Sequence, residues 1–171
     1  MTETREQIAT TIARTPGVHF SALVRECSIA RGQAQYHLRR LVEDGAVVRE
    51  DCRGRAHYFP PTIDSAERRR IALLRRETAR AIVRELLEAE SARPVDLASR
   101  LDLPRSTLEY HLETLEDADV VVRQRLGGRV VVTPCDPDAL RAALELVDPG
   151  PVSSALDRFE RLVDRLLAEA E

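Results

Sequence analysis

Apolar residues recur along this chain at helical spacing and then at strand spacing, and the whole sequence of changes happens twice. Ile8 and Ile12 stand one turn apart within residues 4–14, and Ile82, Leu86 and Leu87 mark one face of residues 79–89, as helices with one buried side require. Pro16 and Gly17 end the first of these. A short helix is predicted over about 21–27, with Ser21 as its N-cap, and its counterpart over about 95–101 after Pro94. Longer helices follow over about 31–44, with Ala34, Leu38 and Leu41 on one face, and over about 104–118, with Leu108, Leu112 and Leu115. Pro104 fits the first turn of the latter. The period then drops to that of strands. Residues 47–51 and 55–59 flank a Cys-Arg-Gly turn, and residues 120–126 and 129–133 flank the pair Gly127 and Gly128, so each copy ends in a hairpin.

The two halves are a duplication. Moving the chain by 74 residues lays Tyr36-His37-Leu38-x-x-Leu41 on Tyr110-His111-Leu112-x-x-Leu115 without a gap. The same shift pairs Val47-Val48-Arg49 with Val121-Val122-Arg123, Gly54-Arg55 with Gly128-Arg129, Leu23 with Leu97 and Ile8 with Ile82. Helix, short helix, turn, longer helix and hairpin is the order of a winged helix-turn-helix. The expected fold is therefore mainly α with small β-hairpin wings (α+β), two such domains joined by a long helix, plus C-terminal helices. The boundaries are a first winged unit at 1–62, a helical linker at 63–78, a second unit at 79–135 and a C-terminal helical segment at 136–171.

Residues 65–90 hold no Pro or Gly and read as nearly unbroken helix, a rigid spacer. Its Arg68, Arg69, Arg70, Arg75, Arg76 and Arg80 either follow a DNA backbone or pair with the acidic second half. Residues 137–147 form a helix. At 153–171, Leu156, Phe159, Leu162, Val163 and Leu166 make an apolar stripe that requires a partner, and pairing between two copies of the chain makes the expected species a homodimer.

All 26 basic residues are Arg, which suits a GC-rich genome, and with the acidic excess a salt-adapted archaeon. Residues 1–80 carry 15 Arg against 10 Asp and Glu; residues 81–171 carry 11 against 19, so +5 and −8 sum to the net −3. A surface that attracts a polyanion belongs to the first half. Six aromatic rings in all leave little for stacking on extruded bases. No signal-like or membrane-length apolar run is present, and the expected location is the cytoplasm, without membrane contact. Cys27, Cys52 and Cys135 form no CxxC pair, so reduced structural thiols are expected, with redox signalling as the alternative. Neither a metal site nor a cofactor is expected: His37 and His111 read as packing residues, and His19 and His57 lack partners at ligand spacing. No nucleotide-binding or hydrolase motif is found, and no catalytic residue is expected.

Arg105-Ser106-Thr107-Leu108-Glu109-Tyr110-His111-Leu112-Glu113-Thr114-Leu115, with the acidic residues and the wing that follow, resembles the archaeal and bacterial winged-helix transcription regulators of the ArsR and MarR type. The likeness covers residues 5–60 and 79–134. Asp119 stands where the first copy has Gly45, and the metal-sensing motifs of the metal-responsive members are missing. The resemblance implies double-stranded DNA as partner.

In such a unit the longer helix enters the major groove and the wing holds phosphates. The first copy offers Arg31, Gln33, Gln35, Tyr36, Arg39 and Arg40 there, with Arg49, Arg53 and Arg55 on its wing, and these are the expected DNA-binding residues. The second offers Arg105, Ser106 and Thr107, but also Glu109, Glu113, Glu116 and Asp117, which would face phosphates. Its contribution, with Arg123, Arg125 and Arg129, is at most auxiliary. The alternative function is a protein-interaction module that contacts the transcription machinery without reading sequence.

Overall fold

The structure, a computed structural model, describes residues 2–148; the stripe from Leu156 to Leu166 lies outside them. The first unit comprises α1 (Thr2–Arg14), β1 (Val18–His19), α2 (Phe20–Cys27), α3 (Arg31–Glu43), β2 (Val48–Cys52) and β3 (Arg55–Phe59). The second comprises α5 (Glu77–Ala89), α6 (Pro94–Arg100), α7 (Arg105–Asp117), β4 (Val121–Leu126) and β5 (Arg129–Pro134). Between them lies α4 (Ser65–Leu74), and α8 (Pro137–Val147) follows the second unit. The chain is thus mostly helical with small antiparallel hairpins, two winged-helix units in tandem.

The duplication holds residue by residue in the cores. Ile8, Ile12, Leu23, Ala34, Leu38 and Leu41 are buried in the first unit, and the residues 74 positions on, Ile82, Leu86, Leu97, Leu108, Leu112 and Leu115, are buried in the second. Backbone conformation repeats as well. Both hairpins close through two residues of positive φ, Arg53 and Gly54 in one and Gly127 and Gly128 in the other, the mirror-image turn whose twist matches that of paired strands. Asp119 takes the left-handed conformation of Gly45, which a short polar side chain tolerates better than most.

β1 went unseen in the periodicity. It pairs antiparallel with β3, Val18 opposite Tyr58 and His19 opposite His57, making a three-stranded sheet of order β1-β3-β2. In the second unit the equivalent pairing shrinks to one bridge, Ala92 to Val132, beside a two-stranded β4-β5 sheet. The short second helix begins at Phe20, and its cap is His19, whose Nδ1 accepts from Ala22 N, in place of Ser21.

The expected spacer helix is broken at Arg75 and Arg76: Arg75 keeps helical angles as the C-cap of α4, and the backbone becomes extended at Arg76. No Pro or Gly stands at the break; arginine side chains on either side of it make the new contacts. Arg75 donates to Pro16 O (2.7 Å), tying the break to the first unit, and Arg80 donates to Leu74 O (3.0 Å). Nor does α4 hold the units apart. Its Ile71 lies against Phe59 of β3 and shares a core with Ile82, Leu86, Leu112 and Val132 of the second unit. Gly17 sits under this contact at φ +80°, where an added Cβ would lie 2.8 Å from Ile71 Cγ2. Glycine here answers both to handedness and to space.

Candidate nucleic-acid interface

Helix α3 is amphipathic because Ala34, His37, Leu38 and Leu41 turn inward, and everything the spacing leaves on the other side meets solvent. Arg31, Gln33, Gln35, Tyr36, Arg39 and Arg40 are all exposed, Tyr36 by 55%. Arg31 is held over the Phe20 ring (5.7 Å) at the start of the helix. Arg39 pairs with Glu43 at 2.9 Å and Arg40 approaches the same carboxylate at 3.9 Å, so one acid is shared by two guanidinium groups. These pairs sit in water and exchange readily for phosphate contacts. On the wing Arg49 pairs with Asp51 (2.9 Å), and Arg55 is exposed on β3. Between α3 and the hairpin runs an open groove of about 620 Å³, floored by Phe20, Leu38 and Tyr58 and rimmed by Arg31, Arg39 and Arg49. The first unit therefore gathers the exposed groups of α3 and Arg49 around one accessible groove, while Arg55, opposite Cys52, projects from the other face of the hairpin.

Arg53 is elsewhere. From its left-handed turn position it reaches the second unit, its guanidinium 5.4 Å from the centre of the Tyr110 ring and 3.8 Å from an Asp117 oxygen. Arg76, at the helix break, hydrogen-bonds the Tyr110 hydroxyl and, with Arg53, holds that phenol below its ordinary pKa. The consequences fall on α7, the second unit's equivalent of α3. Position 40 of α3 is an exposed arginine, whereas its equivalent, Thr114, is 5% exposed and donates to Tyr110 O. One flank of α7 is thus covered by the wing of the first unit and the 75–76 junction.

The carboxylates of α7 are also engaged. Arg123 of β4, mostly buried, pairs with Glu109 (2.8 Å) and Glu116 (2.9 Å), leaving Glu113 as an exposed acid on the helix. Arg105, Ser106, Arg125 and Arg129 are exposed and Thr107 is half-buried. The linker arginines are engaged too: Arg68 pairs with Glu50 (3.2 Å) and Arg80 approaches Asp148 (3.8 Å), which the more exposed Arg84 of α5 also meets. Arg69 remains exposed.

The histidines and cysteines lie outside the groove beside α3. His37 packs edge-on against Tyr36, and His111 against Tyr110, each with ring centres 5.3 Å apart. His57 is buried with Nδ1 2.8 Å from Gly17 O, and burial pushes both His57 and His19 below the ordinary imidazole pKa. Burial raises the half-buried Cys52 thiol, and partial desolvation with Asp119 and Glu116 raises that of Cys135, whose residue is exposed. Cys27 is buried against Thr11 Oγ1 (3.5 Å). Among the described residues no three His, Cys, Asp or Glu side chains converge on a point a metal could occupy, and no helix is long and apolar enough to cross a membrane.

Comparison with known proteins matches two family models to successive parts of the chain. One, described as an N-terminal HTH domain, covers residues 2–71, and the other, described as a helix-turn-helix domain, covers residues 73–124. The junction between them falls at the end of α4. An uncharacterised HTH-type transcriptional regulator of Methanocaldococcus jannaschii is 27% identical over 131 residues, 77% of this chain. This chain aligns with 33% of that protein, about a third of its length.

Proposed function

We propose that this chain, which carries two helix-turn-helix domains in tandem, is a double-stranded DNA-binding transcription regulator whose first winged helix reads the sequence. The observation that carries this reading is the contrast between equivalent helices. α3 exposes Arg31, Gln33, Gln35, Arg39 and Arg40, while α7 has one flank under the first unit's wing and two of its acids tied to Arg123. Arg and Gln are the side chains that pair bidentately with guanine and adenine edges in the major groove. Helix-turn-helix modules bind rather than catalyse. The name of the Methanocaldococcus relative, a transcriptional regulator, points the same way.

In this reading Arg31, Gln33, Gln35 and Arg39 approach base edges from the N-terminal part of α3, and Arg40, Arg49 and Arg55 hold phosphates. Tyr36 borders that surface. Arg53 braces the second unit. Arg105, Ser106, Thr107, Arg125 and Arg129 give at most auxiliary phosphate contacts. The protein acts as a cytoplasmic homodimer joined through the stripe Leu156, Phe159, Leu162, Val163 and Leu166, so that two first units face a pseudo-palindromic site.

A mobility-shift assay on duplexes selected from random sequence tests this. Arg39→Glu with Arg40→Glu abolishes the shift, and the wild-type affinity falls steeply with salt as phosphate contacts demand. Retention of the shift by the double variant would instead favour a protein-interaction module that contacts the transcription machinery.

A further inference from the structure

The outer face of the β4–β5 hairpin carries an apolar patch, flanked by Gln124, Arg129 and Thr133, that is uncovered among the described residues. Leu126 is 56% exposed and Val122 38%, with Val131 half-buried between them, and Arg129 stands opposite Leu126 at the turn end. Alternation of side chains along the strands puts these residues on one face, opposite the face carrying Val121 and Val132 to the core.

The duplication shows what such a face accepts. Its equivalents in the first hairpin are Val48, Cys52 and His57, with Phe59 and Glu50 beside them. That face is covered by α4, the helix that follows the hairpin: Ile71 lies on Phe59, Arg68 pairs with Glu50, and Cys52 packs on the same core. At the matching place in the second copy stands α8, but α8 packs on α4 and α5 instead. Among the described residues the second hairpin has no helix in the place that α4 takes on the first.

We infer that this face is the docking site for segment 153–171 of the same protein. The segment begins five positions after Asp148, and its Leu156, Phe159, Leu162, Val163 and Leu166 recur at the three- and four-residue spacing of one apolar helix face. Charge fits as well. At 100° per residue Asp157, Glu160 and Asp164 fall in an acidic row along one border of that stripe, the charge opposite to that of Arg129. The inference gives the dimer-forming stripe of the proposed function its receiving surface, and it holds whether the segment comes from the same copy or a second one.

Methyl NMR on the full chain with a soluble paramagnetic agent reads the face directly. The methyls of Val122, Leu126 and Val131 are shielded from the agent in the wild type, and Phe159→Asp removes that shielding while leaving the buried methyls of Leu112 unchanged. Leu126→Asp, on the receiving side, speeds hydrogen exchange in residues 153–171. Methyls equally accessible in wild type and Phe159→Asp overturn the inference, and so does shielding that survives Phe159→Asp. Light scattering on the same samples separates the two ideas. A one-chain mass with shielded methyls supports docking and overturns only the dimer; a two-chain mass lost in Phe159→Asp supports both.

Discussion

The contact of Gly17 with Ile71 and Phe59 joins the two winged units, and a double-mutant cycle measures it. Alanine at position 17 must hold φ near +80°, a conformation that costs an L-residue about 1–2 kcal/mol. Its methyl would also lie 2.8 Å from Ile71 Cγ2 and 3.1 Å from Phe59 Cε1, inside a region where both side chains are 0% exposed. Overpacking of this kind adds about 1–3 kcal/mol, so Gly17→Ala destabilises by about 2–5 kcal/mol. Ile71→Ala removes three carbons at about 0.8 kcal/mol each and leaves a cavity, for about 3–4 kcal/mol. With Ile71 shortened, the alanine methyl occupies vacated space and the Phe59 ring has room to turn away. Only the backbone strain remains, and the double variant is more stable than the sum of the singles by about 1–3 kcal/mol. Urea unfolding followed by circular dichroism, with the slope unchanged among variants, gives the four free energies. Additivity to within about 0.5 kcal/mol would show that the methyl does not meet Ile71 and would refute the packing described.

Two further outcomes follow from charge and titration. Burial lowers the pKa of both His19 and His57, which face each other across β1 and β3 and also feel Arg55 and Arg75. Groups depressed in this way favour the neutral folded state above about pH 6.5, so stability is lost as pH falls below that value; unfolding midpoints measured from pH 8 to 5 decline, and His57→Gln flattens the decline. Arg123→Ala strands Glu109 and Glu116 of α7, lowers stability by about 1–2 kcal/mol in urea, and leaves duplex affinity in the mobility-shift assay unchanged, whereas a large loss of affinity would place Arg123 on DNA.

Local pattern carried the fold a long way. The 74-residue shift that aligns Ile8 with Ile82 and Leu38 with Leu112 also aligns buried positions and hairpin turns in three dimensions, because each depends on periodicity and turn chemistry within one copy. The helix break at Arg75 and Arg76 was not legible, since nothing local stops a helix there. The contacts made there reach Pro16 O, 59 residues upstream, and Tyr110 of α7, on the side of the second unit that meets the first. The same limit applied to α7. Its carboxylates signalled poor affinity for phosphate, but that Glu109 and Glu116 are held by Arg123, and that Arg53 reaches Tyr110, depends on contacts between elements remote in sequence. One clue was present: Arg40 becomes Thr114 in the second copy, an exchange of an exposed cation for a residue able to be buried.

Site-specific photocross-linking compares the two helices within one molecule. A cross-linking residue placed at Gln35, and in a separate protein at its equivalent Glu109, is irradiated on a selected duplex under identical salt. Covalent attachment to DNA from position 35 and none from position 109 is the predicted result. Attachment from position 109 with none from position 35 would contradict the assignment of sequence reading to the first unit.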